Sequence, residues 1–408
     1  MLARESIWRQ AQPRVETPPN QWDRRGLPGW SYFSEELTQL EQEELFRKTW
    51  QLAGHESDIP EAGDYFCFDM LGERGVLLRG RDGVVRAFHN VCPHRGSRVF
   101  DKPAGRVGAV ISCPFHGWCF NHDGTLRSPA QPDSFPPLED LRRTLPPLEM
   151  EEWFGFLFVR FKPSSQPLIA DIMAPHKSEL EPYFSRPLRS PGSFWHVETD
   201  VNWKAVRDVD NEGYHVERAH PALNDLYGGL YQDGAYIGGT SRTVGRFNKK
   251  EGGLWSVRNY KRILPDMPHL PESHQKLWIY LGIFPNAVLT FYPDSIGFYQ
   301  EFPLSARRSY QRGAVYGYAD EDRATRVARY LSSRIDRDTI EEDIQLTIWS
   351  CEAALSSAYR GVCLSDLEYG VRSHHDHLRA VLPVLDLDKE PPAGLLEKAN
   401  QDLAVKAG

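Results

Sequence analysis

The sequence predicts an α+β protein made of an antiparallel β domain followed by a larger domain in which an antiparallel sheet is covered by helices. Two observations carry this. Between about residues 50 and 162 the chain reads as short alternating runs such as GVLLRG, RDGVVRAFHN and WFGFLFVRF, broken by turn pairs. Asp82-Gly83 and Asp123-Gly124 are hairpin dipeptides, so this stretch reads as antiparallel strands. Beyond it, strand-like and helix-like runs are mixed.

In chain order, residues 1–33 are rich in Pro, Gly and polar groups and read as an extended arm. A helix follows, with Thr38-x-x-Glu41 as a capping box and Leu45/Thr49 and Phe46/Trp50 repeating at i, i+4. After the β stretch, Lys162-Pro163-Ser164-Ser165-Gln166-Pro167 reads as a linker. Strands are then expected at 194–202, 277–284, 287–292, 297–302 and 309–318. A helix starts at Trp203, and two more are expected at roughly 320–335 and 338–359. The expected division is 1–49 (arm and helix, packed on the last domain), 50–162 and 163–408.

Net charge is −8, and no Lys/Arg cluster forms a nucleic-acid footprint. No apolar run approaches the roughly 20 residues of a membrane span, and the N-terminus lacks a secretory core. A cytoplasmic enzyme is the expectation. Six cysteines are too sparse for a disulfide scaffold. There is no GxGxxG nucleotide fingerprint, so an oxidoreductase built this way would receive its electrons from a partner.

Four residues stand in two short limbs, Cys92-Pro93-His94-Arg95-Gly96 and Cys113-Pro114-Phe115-His116-Gly117. Each limb offers one thiolate and one imidazole. That is the ligand set of a Rieske [2Fe–2S] centre, with two Cys on one iron and two His on the other. The same inventory would serve a structural Cys2His2 zinc site. Cys67 and Cys119 read as free cysteines, and His122, beside a hairpin turn, as an exposed polar residue.

A second group lies in the run from Asn202 to Pro221. On a helix, Glu212 and His215 share a face at i, i+3. His220 lies five residues on, so the helix must distort or end between the histidines, and Pro221 biases His220 away from αR. Two imidazoles at a helix end can hold a metal; taken alone they could equally be surface residues.

The paired Cys-Pro limbs closely resemble those of Rieske proteins. Respiratory electron-transfer members add a disulfide between the limbs, at the positions of Ser97 and Phe115 here, so the resemblance is to the oxygenase branch. The run NWK…E-x-Y-H…H-P is similar to the iron-binding segment of Rieske non-haem iron oxygenases. The resemblance implies a helix-grip type catalytic domain, with mononuclear Fe(II) held by His215, His220 and Asp343, a 2-His-1-carboxylate triad. Glu342 is the competing register for the carboxylate. It also implies that Glu212 bridges the centres, accepting from His215 and from His116 of a neighbouring subunit in a head-to-tail homotrimer. Electrons would come from NAD(P)H through a separate flavin/iron–sulfur reductase.

The substrate expectation has three supports. Glu212 stands where ring hydroxylases usually have Asp, as in the carnitine oxygenase type. FHNVCPHRGSRV and LSDLEYGVRSHHDHL resemble betaine demethylases. Trp278, Tyr280, Phe284, Phe291, Tyr292, Phe298, Tyr299 and Phe302 are material for a cation–π cage, or for ordinary core packing. These observations imply hydroxylation of an N-methyl group of a quaternary ammonium compound, with formaldehyde released. The alternatives are aromatic-ring dihydroxylation, O-demethylation and, outside enzymes, a Rieske electron-transfer protein. Relatives often carry Glu-Asn about seven residues before the Tyr-His pair; here Asp208-Val209 stands instead.

Overall fold

The computed structural model describes residues 20–137 and 143–407. Residues 1–19 of the expected arm lie outside the described residues. The chain divides into two compact units, one of residues 47–164 and 168–170, the other of the remaining chain.

Among the described residues, the strands of the smaller unit pair antiparallel. Strands β1 (Gln51–His55), β2 (Asp64–Met70), β3 (Glu73–Arg79), β4 (Val85–His89) and β5 (Ala104–Arg106) lead into the short β6 (Ile111–Ser112), β7 (Cys119–Phe120) and β8 (Leu126–Ser128). The strands β9 (Glu149–Trp153) and β10 (Phe156–Arg160) close it. They form sheets ordered β1-β10-β9, β4-β3-β2-β5 and β6-β7-β8. Gly83 and Gly124 hold φ of 79° and 85°, which only glycine adopts at no steric cost, and so close the two turns expected from the Asp-Gly pairs. Val76, Leu78, Phe88, Phe100, Trp118 and Phe120 are buried in one core together with Cys92 and Cys113. His122 is buried rather than exposed, with Nε2 on the Gly108 carbonyl at 2.9 Å.

The larger unit is built on an eight-stranded sheet. Its strands are β11 (Leu188–Arg189), β12 (Trp195–Thr199), β13 (Tyr231–Gln232), β14 (Thr240–Arg246), β15 (Leu277–Ile283), β16 (Ala287–Tyr292), β17 (Ser295–Ser305) and β18 (Arg308–Tyr318). Their order is β11-β18-β17-β16-β15-β14-β13, with β12 also on β18. All pairings are antiparallel. The helices used below are α1 (Glu35–Glu44), α2 (Trp203–Asp210), α3 (Val216–Ala219), α4 (Pro221–Tyr227), α5 (Trp255–Ile263), α6 (Arg323–Ala354) and α7 (Tyr369–Val381). The predicted α+β class, with antiparallel sheets and covering helices, is what the chain forms.

Three expected elements are corrected. The first helix begins at Ser34, whose hydroxyl accepts from the Leu37 N–H; Thr38 lies inside it and caps nothing. It also stops at Glu44, so Thr49 and Trp50 are not helical. Helices expected at 320–335 and 338–359 are one 32-residue helix, α6. No Pro or Gly interrupts Arg323–Ala354, so the polar run around Asp336 to Asp338 does not break it.

Inside this unit, α1 is tied to α2 by a fully buried ion pair, Lys204 Nζ to Glu41 Oε1 at 2.6 Å, while Trp203 Nε1 donates to Glu41 Oε2 at 2.8 Å. The Asn202 side chain caps α2 by accepting from the Lys204 N–H and donates to the Ala306 carbonyl. These bonds fix the start of α2, whose far end leads into the site.

Candidate metal centres and the cavity beside one of them

The two Cys-Pro limbs adopt the same backbone. In each, the cysteine N–H donates to the carbonyl five residues on (Ser97, Trp118), and a glycine N–H returns to the cysteine carbonyl. Those glycines, Gly96 and Gly117, hold φ of 74° and 69°. The turns bury Cys92 and Cys113 side by side and leave His94 and His116 half-exposed, with ring centroids 4.7 Å apart. Trp118 stacks on His94 at 4.8 Å and 2°. Burial, and then the neighbouring Cys113 thiol, push the Cys92 thiol up, so this sulfur ionises only against a strong positive charge. Among the described residues, only His215, His220 and Asp343 bring three ligand atoms within 4.8 Å of one another. A pair of buried cysteines and a pair of adjacent histidines, one of each from either limb, fit the donor set of a two-iron cluster.

The second group forms where α2 ends. Asp210 is its last residue, and Glu212 lies in the turn beyond, not on the helix as expected. The turn is tight: a Cβ on Gly213 would fall 2.0 Å from the Tyr231 ring. The Gly213 N–H donates to Asp233 Oδ2 at 2.8 Å. His215 precedes the single turn of α3, and His220 follows it at φ −115°, ψ 86°, outside the helical region. That geometry turns both imidazoles inward. Their Nε2 atoms face each other at 2.9 Å, and Asp343 Oδ1 on α6 lies 2.9 Å from His220 Nε2 and 3.4 Å from His215 Nε2.

Both outer ring nitrogens are engaged. His215 Nδ1 bonds to Glu212, and His220 Nδ1 bonds to Glu342 Oε2 at 2.8 Å. Carboxylates on Nδ1 fix the tautomer that leaves Nε2 free for a metal. Burial works against charging His215, yet its bonds to Asp343 and Glu212 raise it to about 10. Such a set holds surplus protons until a cation replaces them, so the residues fit a divalent metal. Both candidate carboxylates of α6 are used, Asp343 beside the two Nε2 atoms and Glu342 behind His220.

A cavity of about 810 Å³ opens onto this triad. Of the aromatic candidates, Tyr280, Tyr292, Phe298 and Tyr299 line it. Trp278, Phe284, Phe291 and Phe302 do not; they are buried core. Sequence reasoning missed Tyr231, Asp210, Glu301 and Asp336, which also line it. Asp336 had a readable signal, since it lies seven residues before Asp343 and therefore on the same face of α6. Arg207 on α2 bonds Asp210 at 2.6 Å and lies 3.5 Å from Glu301. Asp208, at the departure from the Glu-Asn pattern, bonds Tyr32 at 2.5 Å and His375 at 2.7 Å.

Residues 49–142 match the model of the Rieske [2Fe-2S] domain, and residues 190–383 match that of the ring hydroxylating alpha subunit (catalytic domain). The chain carries a Rieske [2Fe-2S] domain followed by a ring hydroxylating alpha-subunit catalytic domain. Among its Rieske oxygenase relatives, the carnitine monooxygenase oxygenase subunit of Escherichia coli K12 is 32% identical over 199 residues, covering 49% of this chain and 53% of the relative. The glycine betaine monooxygenase oxygenase subunit of Pseudomonas aeruginosa is 30% identical over 201 residues, covering 48% and 45%. The chain thus spans about half the length of the curated relatives it matches. A solved quaternary ammonium Rieske monooxygenase shares the fold, with TM-score 0.71 and 24% identity over 87% of this chain and 94% of that one.

Proposed function

We propose that this chain is a terminal oxygenase that hydroxylates an N-methyl group of a quaternary ammonium compound and releases the carbon as formaldehyde. The observation that carries the reading is the single cavity onto which both the His215/His220/Asp343 triad and the tyrosines Tyr280, Tyr292 and Tyr299 open. The names of the relatives, carnitine and glycine betaine monooxygenases, point to the same substrate class. Cys92, His94, Cys113 and His116 would hold the [2Fe–2S] cluster, and His215, His220 and Asp343 the iron. When bound, these groups supply the electron and the activation of dioxygen.

The protein's own work is positioning. Glu212 and Glu342 orient the two imidazoles. The aromatic walls exclude water and hold a cation by the faces of their rings. Overall, O2, two electrons and two protons convert the N-methyl group to N-hydroxymethyl and water. The carbinol then loses a proton and splits into the tertiary amine and formaldehyde. We place Glu212 between the centres, accepting also from His116 of the partner subunit in a homotrimer, with a flavin/iron–sulfur reductase as electron donor.

The test is a single turnover of chemically reduced enzyme with O2 and a panel of betaines, carnitine, choline and aromatic acids, read by mass spectrometry. Formaldehyde and a demethylated amine from one of the ammonium compounds are expected. A hydroxylated aromatic product, with every ammonium compound untouched, would contradict the reading.

A further inference from the structure

The acidic residues lining the cavity do not share one situation. Asp210 and Glu301 flank Arg207, Glu212 bonds His215, and Asp343 lies against both triad histidines. Glu341 is exposed. Asp336 differs from all of these. Its Oδ1 accepts from the Tyr292 hydroxyl at 3.0 Å, and no Lys, Arg or His side chain among the described residues pairs with it. Its Oδ2 accepts no hydrogen bond from them. A carboxylate taken from water without a partner is costly, and the ordinary remedy is an opposite charge within a few ångströms.

The surroundings of Asp336 describe that charge. Tyr292 is held rigidly, stacked on the core Trp278 at 3.8 Å and 11°. The Tyr280 ring lies edge-on to it at 5.9 Å, and the Tyr280 hydroxyl is engaged by Tyr227 at 2.9 Å. Tyr280, Tyr292 and Asp336 thus give a ligand ring faces, hydroxyls that are already engaged and one carboxylate. A quaternary ammonium, which has no N–H to satisfy, suits ring faces beside a carboxylate.

Resting on the reading above, we propose that Asp336 is the counter-ion that seats the cationic head of the substrate, with Tyr280 and Tyr292 as its aromatic flank. Asp336 and Asp343 are two turns apart on one face of α6, about 10 Å along the axis. A head group lying between them touches the carboxylate on one side and presents a methyl to the triad on the other.

The experiment measures equilibrium binding of a quaternary ammonium substrate and of its neutral tert-butyl isostere, in which carbon replaces the nitrogen, to the holoenzyme and its variants. Iron content and cluster absorption serve as the folding control. Wild type should prefer the charged ligand, and Asp336→Asn should weaken it by about 30-fold or more while leaving the isostere within about threefold. Asp336→Glu should keep the preference for charge. If Asp336→Asn loads less iron, Asp336→Ala takes its place with the same expectation. Equal affinity of wild type and variant for the charged ligand overturns the proposal and leaves the demethylase reading standing. Failure of wild type to bind or oxidise any ammonium compound, with aromatic acids hydroxylated, overturns both.

Discussion

At the scale of single residues, the account makes separable claims about the two ends of each triad imidazole. Asp343→Ala removes one of the three proposed ligands and should abolish iron binding while the cluster absorption is unchanged. Glu342→Gln leaves the ligands in place and loosens only the orientation of His220, so iron should bind about 10- to 100-fold more weakly. Iron titration of both variants separates these roles. Asp336 adds a pH signature. Burial raises its carboxyl to about 8, and the Tyr292 hydrogen bond only partly offsets this. Tyr227, Tyr260, Tyr280 and Tyr292 around it are all pushed up by burial and remain neutral near pH 8, leaving Asp294, also pushed up by burial, as the other carboxyl acting on it. A cation binds the ionised form. Its affinity should therefore rise about tenfold per unit from pH 6 to 8 and level off above. The neutral isostere should show no such slope. The Cys/His pairs and the two histidines of the second group were legible in the sequence because their spacing is local. Glu342 as the partner of His220 was not, because nothing local says which neighbour of Asp343 turns toward which imidazole.

At the scale of elements, the site depends on how α2 ends and on what anchors α2. Gly213→Ala would drive a Cβ into the Tyr231 ring, and relief must displace the turn bearing Glu212 and His215. Iron occupancy should fall sharply with the cluster intact, as metal analysis would show. The buried Lys204–Glu41 pair holds α2 against α1. Lys204→Met strands a buried carboxylate and should cost about 3–5 kcal/mol in chemical denaturation. The strands β15 and β16 were readable as short apolar runs rich in aromatics, LWIYLGI and AVLTFY, and the hairpins of the small unit from their Asp-Gly turns. Strand β14 and helices α5 and α7 went unread. TSRTVGR alternates weakly, and α7 buries His374, His375 and His377, polar residues that blur its apolar face. Ser34 rather than Thr38 caps α1, and Glu35 and Glu36 in the turn after it were a local signal for that start.

At the scale of the whole molecule, two units carry two different metal-ready sites, and the family models match each on its own stretch of chain. Among the described residues no helix is long and apolar enough to cross a membrane. The rival to this architecture is a zinc-stabilised small unit, with the triad histidines merely packed together. The measurement that decides between them is metal and acid-labile sulfide analysis of the purified chain beside its Asp343→Ala variant. The account predicts about three irons and two sulfides per chain, falling to two irons and two sulfides in the variant with the visible spectrum unchanged. Zinc without sulfide in the wild type, or an iron count that Asp343→Ala leaves unaltered, would contradict it.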